Sequence, residues 1–121
     1  MSLVKADVRV VKPADADGAA ETAITIDPAE PVFAGHYPNY PIFPGVCVVD
    51  SVHRGALATA PAAVALASVE SARFLGAVLP GDVLRMDLKW TRDGNDWLCG
   101  GKAHTGRGAA ASVKLRYRAV S

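Results

Sequence analysis

The segment from Gly45 to Pro61 is the feature that most restricts the fold of this chain. It is largely apolar, with only a few polar side chains, and it is preceded by a Pro-Gly step and closed by a proline. An apolar run of this length between such boundaries predicts one largely buried helix of about four turns. The rest of the fold must be built around this helix.

The remaining segments have patterns typical of strands. Two strands, 3–12 and 20–27, precede the helix, and four follow it, beginning with 63–75. Residues 92–95 carry the Asp-Gly chemistry of a hairpin turn, and residues 106–108 lead into the last strand. We therefore expect an α+β protein, with one long central helix wrapped by an antiparallel sheet of about six strands. Because such a layer leaves an edge strand and a helix flank open, we also expect a second subunit to complete the burial.

Composition narrows the setting. The chain has 121 residues, half of them hydrophobic, and a formal net charge of +1. These values predict a single domain over residues 1–121 and argue against a nucleic-acid partner. No signal peptide or membrane span is visible, so we expect a cytoplasmic protein. Cys47 and Cys99 do not form a metal pair, and we expect neither a metal nor a cofactor.

The loop before the helix carries the residues with chemical potential. Four prolines within Pro31 to Pro44 predict an ordered, non-helical loop, and His36 lies in it. The helix would direct its unpaired N–H groups and the positive end of its dipole toward this loop. Asp50 follows in the second turn of the helix. A base, a carboxyl group and backbone donors for an oxyanion suit proton abstraction next to a carbonyl.

The same stretch resembles a known family signature. The sequence Phe-Ala-Gly-His-Tyr-Pro at 33–38, continued through Pro41 to Pro44-Gly45-Val46 and Asp50, is similar to the motif of hot-dog-fold (3R)-hydroxyacyl-acyl-carrier-protein dehydratases. Residues 73–74, followed by Pro-Gly-Asp at 80–82, resemble the second signature of that family. Two motifs in the same order cover about half of the chain. The resemblance implies a hot-dog fold.

The resemblance also implies roles for individual residues. His36 matches the catalytic base, Asp50 the catalytic acid, and Gly45 the residue whose N–H binds the thioester carbonyl. The family builds its site across a dimer, so His36 and Asp50 of one chain would belong to different sites. The substrate-binding set that we expect consists of Gly45, Val46, Tyr37, Phe43 and Arg54.

The reaction implied is the dehydration of a β-hydroxyacyl thioester to a trans-2-enoyl thioester, in fatty acid or polyketide synthesis. His36 would take the α-proton, and Asp50 would protonate the leaving hydroxyl group. The partners implied are an acyl carrier protein with a phosphopantetheine-linked acyl group and a second copy, as a homodimer or a dimer of dimers. No cofactor is required.

Two positions depart from the family pattern. Arg54 stands where most members carry glutamine, and its i,i+4 spacing would bring a guanidinium onto the face of Asp50 and favour the ionised carboxylate. His53 is also unusual at its position. An ionised Asp50 would suit a thioesterase on the same fold, and a non-catalytic acyl-binding or dimer-partner subunit is a further alternative.

The last strand carries a cationic ladder. Lys114, Arg116 and Arg118 alternate with apolar residues and occupy one face. Most such ladders are solvated faces. A second interpretation is a docking surface for the acidic carrier protein.

Overall fold

The computed structural model describes residues 4–34 and 42–120. Its main helix, α2, spans Gly45–Thr59, as the apolar run predicts, and a four-residue helix, α1, spans Pro31–Ala34. Six strands complete the described part. They are β1 at Arg9–Lys12, β2 at Ala19–Thr25, β3 at Val64–Phe74, β4 at Val83–Asp93, β5 at Asp96–Thr105 and β6 at Gly108–Ala119.

The strands form one antiparallel sheet in the order β1-β2-β4-β5-β6-β3. The first strand after the helix therefore crosses to the far edge, where β6 is its neighbour among the described strands, while β1 forms the other edge. The central strands alternate as the sequence predicts: in β4, the buried side chains are Leu84, Met86, Leu88 and Trp90. This single sheet around one long helix is the α+β hot-dog arrangement expected from the sequence.

Helix α2 packs closely on the sheet at two glycines. A Cβ atom at Gly55 would lie 2.5 Å from the hydroxyl of Thr22 on β2, and one at Gly101 on β5 would lie 2.7 Å from a methyl group of Val52. Val52 is itself fully buried. Because both glycines lack a side chain, the helix can lie close to the sheet, and the position of its polar residues is fixed.

The turn at 78–82 anchors the residue that leads into α2. The Asp82 carboxylate accepts a hydrogen bond from the Leu79 N–H at 2.7 Å and forms an ion pair with Arg107. This ion pair, followed by the bond from Leu79, holds the pKa of Asp82 below its usual range despite partial burial. The carbonyl group of Val78 then accepts the N–H of Phe43 at 2.7 Å. The second signature thus supports the start of the helix that bears Asp50.

Two expectations about the N-terminal half were wrong. Residues 31–34 form the short helix α1, because proline is tolerated at the first helical position, where no intrahelical N–H bond is lost. The first strand is only four residues long, since the backbone N–H groups of Lys5 and Ala6 donate to the carboxylate of Glu30 at 2.9 and 3.0 Å. Glu30 immediately precedes α1 and is 5% exposed. Its carboxylate therefore holds residues 5 and 6 beside the start of that helix.

Among the helices within residues 4–34 and 42–120, none is long and apolar enough to cross a membrane.

Candidate active site

The site is built around the first two turns of α2. Pro44 is extended, with φ −63° and ψ 150°, and its carbonyl group accepts the N–H groups of Cys47 and Val48 at 2.9 and 3.1 Å. The N–H groups of Gly45 and Val46 precede these bonds and lie at the open, positive end of the helix dipole. Negative charge that develops on a carbonyl oxygen would be stabilised there.

Gly45 makes a close contact with an exposed aromatic ring. A Cβ atom at this position would lie 2.8 Å from the ring of Phe74, at the end of the edge strand β3. The ring of Phe74 is itself 54% exposed, and the neighbouring Val46 is 61% exposed. Val46 therefore lies on the surface, whereas Gly45 is partly covered by the ring of Phe74.

Phe43 has a different environment from that of Val46. Its side chain is 2% exposed and lies against Phe33, with ring centroids 6.1 Å apart. Phe43 thus belongs to the core beside α1, and any effect on the acyl group would act from beneath the site.

Asp50 carries a carboxyl group with an unusual environment. Its Oδ2 atom is buried, yet it has no hydrogen-bond partner, and no ion pair reaches the side chain from the described residues. Burial first, and the charge of Asp50 second, raise the pKa of the Cys47 thiol one turn earlier. A buried carboxyl oxygen without a partner is costly for structure alone and is typical of a group that meets a ligand.

Arg54 turns away from Asp50. Its guanidinium donates a hydrogen bond to the carbonyl oxygen of Val4 at 3.0 Å and lies 3.8 Å from the exposed carboxylate of Asp7. The side chain thus holds the N-terminal segment against the helix. The sequence pattern placed this cation on the face of Asp50, because spacing along a helix does not reveal a partner that is distant in sequence.

We therefore expect Arg54→Gln to leave turnover within about twofold of the unchanged protein. Among the described residues, the guanidinium contacts Val4 and Asp7 rather than Asp50, so its removal should affect the N-terminal segment more than the reaction. Steady-state kinetics on a β-hydroxyacyl thioester would check this. A gain of tenfold or more in dehydration would show instead that Arg54 opposes the acid role of Asp50.

His53 is a residue whose surroundings the sequence did not reveal. Its Nδ1 atom lies 2.7 Å from the hydroxyl oxygen of Tyr117 on β6, and the two rings stack at 5.7 Å with an angle of 15°. Burial lowers the pKa of His53, and the nearby Asp50 charge partly opposes this. From the sequence, the i,i+3 spacing indicates only that Asp50 and His53 share one face of the helix. It does not reveal that His53 contacts Tyr117.

The catalytic base expected from the sequence, His36, lies outside the described residues, as does Tyr37. Their roles remain predictions. In residues 4–34 and 42–120, no cluster of three or more His, Cys, Asp or Glu side chains could hold a metal ion.

The cationic ladder of β6 is partly neutralised. The guanidinium of Arg116 contacts the carboxylates of Glu70 and Asp93 at 2.8 Å each and that of Asp96 at 3.1 Å. A residue that is shared among three carboxylates offers little free charge to an acidic partner. The docking interpretation of this strand therefore retains Lys114 and Arg118 but loses its central residue.

Comparisons with known proteins indicate the family of this chain. A family model described as ApeI dehydratase matches residues 12–108. Over 99 residues the chain is 36% identical to the 3-hydroxyacyl-acyl-carrier-protein dehydratase FabZ of Symbiobacterium thermophilum, covering 75% of this chain and 70% of that one. The match to FabZ of Solibacter usitatus is 41% identical over 68 residues, which is 50% of this chain but only 42% of that relative.

Solved structures show the same fold. The dehydratase heterocomplex ApeI:P from Xenorhabdus doucetiae superposes with a TM-score of 0.73 at 22% identity, covering 90% of this chain and 96% of that one. A hypothetical thioesterase from Streptococcus pneumoniae, solved with coenzyme A, gives 0.70 at 13% identity, covering 93% and 86%. At these identities the likeness concerns the fold alone. The family is established by the match over residues 12–108, and the chain belongs to the ApeI-like dehydratase family.

Proposed function

We propose that this chain removes water from β-hydroxyacyl thioesters to give trans-2-enoyl thioesters, with the acyl group presented by an acyl carrier protein. Residues 1–121 would act as one cytoplasmic hot-dog domain in fatty acid or polyketide synthesis. Family membership and the FabZ relatives support the reaction class, since those relatives are named as dehydratases of 3-hydroxyacyl groups on the carrier protein.

The observation that carries the proposal is the carboxyl group of Asp50. It lies in the second turn of a helix whose open N-terminus includes Gly45, and its buried Oδ2 atom has no hydrogen-bond partner among the described residues. A carboxyl group that must give a proton to a substrate oxygen needs such an unoccupied position. One turn earlier, the backbone N–H groups at the N-terminus of α2 are donors for the thioester carbonyl.

A second copy of the chain would complete the site. Along α2, Val46, Asp50, His53 and Leu57 follow helical spacing on one face, and Val46 and Leu57 are exposed. The neighbouring β3 is an edge strand of eleven residues with open backbone groups. Exposed apolar residues of this region are Ile42, Val46, Leu57, Leu66, Val69, Phe74 and Leu75.

Edge strands and apolar patches of this kind are normally covered by a partner. In the proposed homodimer, the β3 strands of the two copies cover each other. His36 of one copy then faces Asp50 of its partner.

The proposed reaction proceeds through the thioester enolate. His36 takes the α-proton, and the resulting charge on the carbonyl oxygen is held by the N–H of Gly45 and the helix dipole. The bond from Cβ to the hydroxyl oxygen then breaks as Asp50 protonates that oxygen, and water leaves as the double bond forms. His36 then releases its proton to solvent, and Asp50 takes up a proton from solvent, so both groups return to their starting states.

The thioesterase alternative loses one argument. An ionised Asp50 beside Arg54 would have favoured hydrolysis, and the guanidinium of Arg54 instead binds Val4 and Asp7. The structural likeness to a hypothetical thioesterase is a likeness of fold.

The test is to incubate the protein with a β-hydroxyacyl thioester and to follow both enoyl absorbance and free thiol. Dehydration predicts enoyl product without thiol release, and His36→Ala should abolish it. Thiol release without enoyl product would indicate hydrolysis instead. If neither product forms, on carrier protein or on a short pantetheine thioester, the chain would be an acyl-binding subunit without turnover.

The identity of the partner chain is tested separately. One structural relative is described as a dehydratase heterocomplex, whereas we propose self-assembly here. Native mass spectrometry of the purified chain should give twice the monomer mass or a multiple of it. A stable monomer would contradict the homodimer.

A further inference from the structure

The outer face of the sheet, on the side away from α2, carries an open hollow of about 400 Å³. Small residues from three neighbouring strands line it, namely Gly100 of β5, Ser112 of β6 and Ser71 of β3. A Cβ atom at Gly100 would meet no atom within 4 Å, so the surface is open there. The reaction proposed above takes place at α2, and it gives this hollow no role.

Three lysines line the hollow, and an arginine lies beside it. In one row across the sheet, Lys89 of β4 and Lys114 of β6 lie on either side of Gly100. In the next row, Lys102 of β5 and Arg73 of β3 lie on either side of β6. Because neighbouring strands are about 5 Å apart, these four side chains form one basic patch.

The charges of the basic patch are little compensated. Among the described residues, no carboxylate forms an ion pair with any of its four cations. Asp87 lines the same hollow, but its carboxylate contacts the imidazole of His104 at 3.2 Å. Lys89 donates to the backbone carbonyl of Asp17, which leaves its charge in place. Arg116, by contrast, is shared among three carboxylates.

The basic patch adjoins the start of α2. Arg73 immediately precedes Phe74, and the ring of Phe74 lies against Gly45. The homodimer proposed above uses the exposed side of α2 and the edge of β3, whereas the patch lies on the outer face. A partner bound to the patch would therefore have the N-terminus of α2 beside its Arg73 end.

We propose that this basic patch is the surface that binds an acidic acyl carrier protein. This inference rests on the proposed function. Opposite charges across an interface speed encounter and orient the partner. A second copy of this chain is a poorer match, because a symmetric contact through this face would bring the same four cations together.

The first test reverses single charges and compares two substrates. We expect Lys102→Glu and Lys114→Glu each to raise KM about tenfold for a β-hydroxyacyl group on a purified bacterial carrier protein. Turnover of a short pantetheine thioester should stay within about twofold, because that substrate does not contact the patch. Lys12→Glu is the matched control, since Lys12 lies in the row of Lys102 but beyond Glu21 and Asp87.

Three results of this comparison would overturn the inference. The first is an equal effect of Lys102→Glu and Lys12→Glu on the carrier-linked substrate. The second is an equal loss on both substrates. The third is an effect of Arg118→Glu, further along β6, as large as that of Lys114→Glu, which would assign docking to the ladder along that strand.

A binding measurement needs no turnover and judges the patch separately from the dehydration reaction. The unchanged protein should bind the holo carrier protein in calorimetry, more weakly as salt is raised, and Lys102→Glu should weaken this binding about tenfold. The inference fails if the unchanged protein does not bind, or if both proteins bind equally. It also fails if Lys102→Glu alters the number of subunits in native mass spectrometry while carrier binding persists, since the patch would then join copies of this chain.

Discussion

Replacing Asp50 by asparagine is expected to lower kcat by about 10²–10⁴-fold, which is the usual contribution of a positioned acid. The amide has the size of the carboxyl group but cannot protonate a leaving hydroxyl group. Within residues 4–34 and 42–120, Oδ2 of Asp50 has no hydrogen-bond partner, so the change breaks no hydrogen bond at that oxygen. Enoyl formation from a β-hydroxyacyl thioester would be measured together with the melting temperature, which should fall little or not at all.

Asp7→Asn is the matched control for this prediction. Its carboxylate is fully exposed and, among the residues that the structure describes, pairs with Arg54 at 3.8 Å. This variant should retain activity within about twofold, as surface substitutions generally do. Equal activity of the Asp50→Asn variant and the control would remove Asp50 from the reaction.

Adding a single methyl group at Gly101 is expected to destabilise the protein by about 1–3 kcal/mol. The new Cβ atom would lie 2.7 Å from a methyl group of Val52 and 3.2 Å from one of Leu88, so α2 or the sheet must shift. A branched side chain such as Val52 cannot move aside cheaply. Denaturant unfolding of Gly101→Ala would show this as a lower midpoint.

The neighbouring glycine provides the control. A Cβ atom at Gly100 would meet no atom within 4 Å, because this residue lies on the outer face of β5. Gly100→Ala should therefore leave stability unchanged or raise it by up to about 1 kcal/mol through the unfolded state. If both variants unfolded at the same denaturant concentration, the close packing of α2 on β5 would not require glycine at position 101.

The fold was largely predictable from local patterns. The bounds of α2 and the hairpin between β4 and β5 follow from apolar periodicity and from Asp-Gly turn chemistry, which act between neighbours in the sequence. The early part was less predictable. Lys5 and Ala6 leave the expected strand because Glu30, some 25 residues later, captures their N–H groups.

The candidate site shows the same division. The positions of Gly45 and Asp50 at the start of α2 follow from the Pro-Gly step and the helical run. The partners of Arg54 and His53 do not, because Val4 and Tyr117 lie 50 and 64 residues away in the sequence. Local spacing identifies which side chains share a helix face, whereas the third dimension determines which distant groups they bind.

The central claim is that each site takes His36 from one copy and Asp50 from its partner. The most direct test mixes the His36→Ala and Asp50→Asn proteins, each inactive alone, after unfolding and joint refolding. Random pairing would make about half of the dimers mixed, and each mixed dimer would hold one intact site, so about a quarter of the original activity should return. If mass spectrometry shows mixed dimers and no activity returns, the shared site is wrong.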